Sequence, residues 1–185
     1  MIAKLATWIL ALFGWRVDIV PPPEPKGILV VYPHTSNWDF PVGYLTRLAM
    51  ALPVSFVGKD ELFRWPFGAV FRWLGGIPAN RRASTGLIGQ LAAEFRRRDW
   101  MWLALAPEGT RSHVTHWKSG FYRLAMEADV PVGLAFIDYR THSVGVREYV
   151  RMTGDAAADM ERIRAAYEGM VGRRPELAGE IRLES

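Results

Sequence analysis

Gly27-Ile28-Leu29-Val30-Val31-Tyr32-Pro33-His34-Thr35-Ser36-Asn37-Trp38-Asp39 is the stretch that decides the fold. The run from Gly27 to Tyr32, closed by a proline, reads as a strand buried on both faces. A polar segment carrying His34 and Asp39 follows at once. The strand therefore delivers both to its end, where α/β proteins place their sites. Trp38 to Met50 then reads as a helix with Asn37 as its cap. Five positions apart, His34 and Asp39 do not share a face of one helix. They meet if the histidine sits in the turn and the aspartate in the first helical turn. An aspartate bonded to one ring nitrogen fixes the tautomer and leaves the other as a base for a hydroxyl proton. Taken alone the pattern is weak, because a surface histidine and a capping aspartate produce it as well.

Outward from this stretch, strands and helices alternate. Strands are expected at Pro53 to Val57, near Ile77, at Met101 to Ala106, at Val130 to Tyr139 and at Ser143 to Met152. Helices are expected at Pro66 to Leu74, Ser84 to Arg98, Ser119 to Ala128 and Asp159 to Met170. The alternation predicts an α/β fold, a single domain with a largely parallel central sheet flanked by helices. Upstream, residues 2–13 are nearly all apolar, with Lys4 and Arg16 at the flanks. The run is shorter than the roughly 20 residues that cross a bilayer. Bulky Phe13 and Trp15 sit where a signal peptidase needs small residues. This N-terminal apolar helix is expected to lie on a membrane surface; an ordinary core helix of a soluble domain accounts for the run equally well. Pro21-Pro22-Pro23-Glu24-Pro25 ends it as a stiff spacer, dividing residues 1–20, the membrane-surface helix, from residues 21–185.

The 185 residues suit one domain, and the 50% hydrophobic content supports a real core. With no cysteine, a disulfide framework, a thiolate zinc site and a cysteine nucleophile are excluded. The net charge is +4, and 19 of the 23 basic residues are arginines, whose forks suit phosphate and carboxylate. Eight tryptophans fit a chain that meets a membrane–water interface. The acidic count and the apolar N-terminus argue against a nucleic-acid partner.

Two further turns carry candidate chemistry. Pro107-Glu108-Gly109-Thr110-Arg111-Ser112 follows the strand Met101 to Ala106. Its glycine admits close approach, its turn amides can cradle an anion, and Arg111 can grip phosphate. Glu108 would repel phosphate, so it is expected to bind a hydroxyl or orient a neighbour. Gly75-Gly76-Ile77-Pro78-Ala79-Asn80-Arg81-Arg82 is a flexible turn ending in two arginines.

In order and spacing these segments resemble the glycerophospholipid acyltransferase family, of the lysophosphatidic acid acyltransferase type. Its first block, His-x-x-x-x-Asp after a strand, matches His34 and Asp39. Its second, a Gly-rich turn ending in Arg, matches Gly75 to Arg81. Its third, Pro-Glu-Gly-Thr-Arg-Ser, matches Pro107 to Ser112, with Lys118 and Gly120 as the usual Lys-x-Gly. Its fourth, a Val-Pro strand, matches Val130 and Pro131. Departures are Pro33 for Asn, Pro78 for Phe, Asn80 for Asp and Leu134 for a second Pro. The resemblance spans about Gly27 to Phe136.

The resemblance implies transfer of a fatty acyl group from a thioester, acyl-CoA or acyl-ACP (acyl carrier protein), to a hydroxyl of a lysophospholipid-like or glycerol-phosphate-like acceptor. It implies His34 as base and Asp39 as its partner. Gly76, Arg81, Glu108, Gly109, Thr110, Arg111 and Lys118 are then the substrate-binding residues. No metal or cofactor is needed beyond the thioester co-substrate, which is already activated. The expected partners are a membrane lipid surface, the donor and a lysolipid, at the cytoplasmic face of the membrane. Phe63, Trp65, Phe67, Phe71 and Trp73 are expected to line an acyl groove, to dip into lipid or to build core. Rival readings are a non-catalytic lipid- or acyl-carrier-binding protein, and a metal-dependent hydrolase using His34, Asp39, Glu108, His113 and His116.

Overall fold

The computed structural model describes residues 1–79 and 86–184. Among these, seven strands form one sheet in the order β1-β7-β6-β2-β5-β3-β4. The strands are β1 (Arg16–Ile19), β2 (Lys26–Tyr32), β3 (Val54–Lys59), β4 (Gly76–Ala79), β5 (Met101–Leu105), β6 (Val132–Asp138) and β7 (Ser143–Val150). All pairings are parallel except β6 with β7, which form an antiparallel hairpin. The helices are α1 (Ile2–Leu12), α2 (Asp39–Ala49), α3 (Gly68–Trp73), α4 (Gly86–Arg97), α5 (Gly120–Ala128) and α6 (Ala156–Ala166). The expected α/β class and largely parallel sheet are what the chain adopts.

β2 is central, and its side chains alternate between two cores. Ile28, Val30 and Tyr32 pack with α4, α5 and α6, around Phe95, Trp117, Leu124 and Ile163. Leu29 and Val31 face the opposite layer, where α1 and α2 lie. Burial on both faces explains why β2 and β6 read as unbroken apolar runs. Leaving β2, the chain crosses by α2 to β3 on one side. Leaving β5, which pairs with β2, it crosses by α5 to β6 on the other. The two crossovers diverge around β2, and a crevice opens there at the strands' carboxyl ends.

Three local expectations are corrected. Asn37 does not cap α2, which begins at Asp39 after Trp38 with no side-chain cap bond. Instead the Asp39 carboxylate accepts the Ser36 N–H, and the Ser36 hydroxyl accepts the Trp38 N–H. The last helix starts at Ala156, earlier than expected, because Asp155 accepts the N–H groups of Ala157 and Ala158. Residues 16–19, expected as no strand, form β1 and pair with β7. The segment ahead of the proline run thus joins the common sheet, with Leu10 and Trp15 buried beside Ile137 and Val144.

Candidate active site

His34 and Asp39 meet, with the histidine in the turn and the aspartate at the first position of α2. His34 Nδ1 lies 3.2 Å from Asp39 Oδ2, which leaves Nε2 as the ring nitrogen Asp39 does not engage. The Ser36 N–H donates to the same Oδ2 at 2.9 Å, and the Tyr139 hydroxyl donates to Oδ1 at 2.8 Å. Burial pushes the Asp39 carboxyl up, but the bonds from His34, Ser36 and Tyr139 outweigh it and hold the group below the ordinary carboxylate range. Burial, and then the neighbouring Asp39 charge, push the Tyr139 phenol well up, so it remains a donor. A buried carboxylate fixed by three donors can hold an imidazole in one tautomer and stabilise its protonated form.

Glu108, at the end of the neighbouring strand, is only 1% exposed. Oε2 accepts the His34 N–H at 2.9 Å and Oε1 accepts the Gly179 N–H at 2.8 Å. Both oxygens are therefore committed to backbone, and the residue ties the His34 turn to the C-terminal segment. These two bonds are of the kind by which a carboxylate orients a neighbouring turn. Burial raises its carboxyl despite the two amides. The Tyr32 hydroxyl reinforces the tie by donating to the Gly179 carbonyl at 3.1 Å.

His34 and Asp39 line a cavity of about 470 Å³ between α2 and the sheet. Its walls are mostly apolar, among them Leu29, Val31, Phe40, Phe56, Phe71, Ala104 and Ile137. Gly43 on α2 opens it further: a Cβ there would meet nothing within 4 Å. Arg111 lines this cavity and also an adjoining cleft of about 570 Å³, shared with Thr35, Ser36, Asn37, Thr110, Ser112, Arg173 and Arg174.

The remaining expected residues divide. Thr110 and Arg111 reach the cleft. Gly109 has φ +66°, and a Cβ on it would sit 2.8 Å from Lys118 Nζ, so the lysine side chain lies over the turn. Gly76 stands in edge strand β4, where a Cβ would meet the Phe63 ring and the Phe71 carbonyl at 2.8 Å. It packs there instead of lining either cavity. Arg81 lies outside the described residues. Phe63 is core and Phe71 lines the cavity, while Trp65, Phe67 and Trp73 are exposed. Among the described residues no three His, Asp or Glu side chains converge to hold a metal. His113 and His116 are not among the residues lining either cavity; His116 instead faces Glu184.

Tyr139, Gly43, Arg173 and Arg174 were not anticipated. Tyr139 ends an apolar run and reads there as one more strand residue. The arginine doublet lies beyond the blocks that carry the resemblance.

The family model described as Acyltransferase matches residues 19–133, more than half of the chain. The chain belongs to this acyltransferase family. Among solved structures it is similar to the 1-acyl-sn-glycerophosphate (LPA) acyltransferase PlsC from Thermotoga maritima, with a TM-score of 0.61 and 22% identity. That match covers 91% of this chain and 75% of the other, and it shows a shared fold. No curated protein sequence matches the chain.

Proposed function

We propose that this acyltransferase moves a fatty acyl group from an acyl-CoA or acyl-ACP thioester to the hydroxyl of a lysophospholipid-like or glycerol-phosphate-like acceptor. The observation that carries the reading is a His34–Asp39 pair, 3.2 Å apart, lining an apolar cavity. His34 Nε2 takes the acceptor's hydroxyl proton as the oxygen attacks the thioester carbonyl. The tetrahedral intermediate collapses, the C–S bond breaks, and the departing thiolate takes the proton back from His34. An ester and a free thiol result. The apolar cavity holds the acyl chain, which fixes the carbonyl beside the base. General-base assistance of this kind contributes about 10²–10⁴-fold.

The enzyme works at a lipid surface, as a peripheral or monotopic protein on the cytoplasmic face. Among the described residues no helix is long and apolar enough to cross a membrane. α1 nevertheless exposes Ile2, Leu5, Trp8 and Leu12, and Trp65 and Trp73 are 93% and 81% exposed. Such rings favour the interface. The test is His34→Ala, assayed with a labelled acyl thioester and a panel of acceptors: lysophosphatidic acid, other lysophospholipids, amino-acid-containing lysolipids and glycolipids. Transfer is lost while the circular-dichroism spectrum and vesicle binding persist. Transfer at the wild-type rate removes the base assignment.

A further inference from the structure

Arg111, Arg173 and Arg174 converge on the cleft beside His34. Among the described residues no carboxylate lines the cleft, and none of the three arginines forms an ion pair. Three guanidinium groups around one cavity repel each other unless an anion joins them, and their planar forks match phosphate oxygens.

The segment that brings in two of them is anchored by backbone hydrogen bonds at Val171 and Arg174. The Val171 N–H donates to Asp138 at 3.1 Å, and the Val171 carbonyl accepts the Tyr139 N–H at 2.9 Å. Gly172 runs so close to the His34 turn that a Cβ would lie 2.6 Å from Thr35 Oγ1. The Arg174 N–H donates to that same oxygen at 3.1 Å. The Arg173 guanidinium lies 5.5 Å from the Trp38 ring centre and 6.0 Å from that of Tyr139. Cation–π contact positions the charge without neutralising it.

We propose that Arg173 and Arg174, in the segment that follows α6, extend into a phosphate-binding subsite the anion grip that the family resemblance implies for Arg111. Its chemistry is that of a phosphate monoester or diester. The source is either the acceptor's headgroup or the phosphates of the acyl donor. The arginine pair lies outside residues 19–133, the part matched by the family. Assigning the phosphate to a substrate rests on the function proposed above; the presence of the subsite does not.

The test is calorimetric titration of the full chain with sn-glycerol 3-phosphate and, separately, with coenzyme A at fixed ionic strength. Wild type is compared with Arg174→Ala, the Arg173→Ala/Arg174→Ala double variant, and Arg123→Ala, which removes the same charge from an exposed site on α5. The single variant spares Arg173, which touches Tyr139, and circular dichroism reports folding in each case. Loss of charge-assisted bonds weakens binding by about 10- to 100-fold in the double variant, with no change in Arg123→Ala. Loss confined to glycerol 3-phosphate places the acceptor headgroup there; loss confined to coenzyme A places the donor there. Failure of wild type to bind either probe overturns the subsite. So does unchanged affinity in folded variants, or an equal loss in Arg123→Ala. Binding needs no turnover. An enzyme without acyl transfer but with arginine-dependent binding would refute the proposed function and leave the subsite standing.

Discussion

Replacing Asp39 with asparagine separates geometry from charge at the candidate centre. Oδ2 accepts from the Ser36 amide and from His34 Nδ1, and Oδ1 accepts from the Tyr139 hydroxyl. With its oxygen at the Oδ2 position, an asparagine keeps the first two bonds. Its NH2 then faces a hydroxyl that can turn and accept. The Ser36 and His34 donors keep their acceptor, and only the Tyr139 O–H loses its own. Bonds to an ionised acceptor contribute about 1.5–3 kcal/mol and neutral ones about 0.5–1.5. The three bonds together therefore lose about 3 kcal/mol, part of it returned because a buried charge is no longer desolvated. A net loss of about 1–2 kcal/mol lowers the melting temperature by roughly 2–8 °C in a chain of this size. Asp39→Ala strands three donors at about 1–3 kcal/mol each and melts lower still.

The rate responds to charge. A carboxylate 3.2 Å from an imidazolium attracts it by about 5 kcal/mol at an effective dielectric of about 20, which sets a ceiling. Loss of most of that attraction lowers kcat/KM by about 10²–10³-fold in Asp39→Asn. Thermal melting and release of free thiol from an acyl thioester, measured on the same preparations, test both numbers. An asparagine variant with wild-type kcat/KM, or one that melts as low as the alanine variant, refutes the reasoning. The acid limb gives an independent check. Burial opposes, but the three bonds prevail and hold Asp39 below its ordinary 3.8. Its stabilisation is whole above that value and is lost as pH falls through the depressed folded value. The asparagine variant lacks this loss, so its stability falls less steeply on acidification.

Glu108→Gln sets an NH2 against either the His34 or the Gly179 N–H, costing about 1–3 kcal/mol; the melting temperature and kcat fall together. A rise in acceptor KM at unchanged melting temperature would instead place Glu108 on substrate. Gly43→Leu gains about 0.8–1 kcal/mol of helix propensity and fills the cavity, so the protein melts higher while thioester competition shows a shorter preferred acyl chain. An unchanged chain preference removes the acyl assignment of that cavity. Deleting residues 1–14 releases the protein from liposomes in a flotation assay; continued binding would mean that the exposed Trp65 and Trp73 region suffices.

The frame of the molecule was legible because its central strands are buried on both faces and its turns carry motif residues. β2 and β6 could be read from apolar runs alone, and the meeting of His34 with Asp39 as one arrangement open to them, from their place between a strand's end and a helix's start. β1 could not be read: four residues with alternating exposure, Arg16 to Ile19, carry too little apolar signal and gain their strand only by pairing with β7. Glu108 was legible as important but open in role, because its partners are backbone amides of His34 and Gly179, and amides leave no mark in side-chain composition. Tyr139 and the Arg173–Arg174 pair were hidden for a related reason. Each reaches the site across about 100 residues or more of chain, from Tyr139 to Asp39 and from Arg174 to Thr35, and no local pattern encodes such a meeting.

The pairing of β1 with β7 also sets an order of events during synthesis. Arg16 aligns with Ser143, and Leu10 and Trp15 are buried against Ile137 and Val144. The seat for the amino-terminal segment is therefore made of chain that leaves the ribosome much later. Until then α1 has no seat in the sheet, although His34, Asp39 and Glu108 have already been made. The outer edge of the sheet is therefore closed only after residues 143–146 have been made, late in the synthesis of the domain.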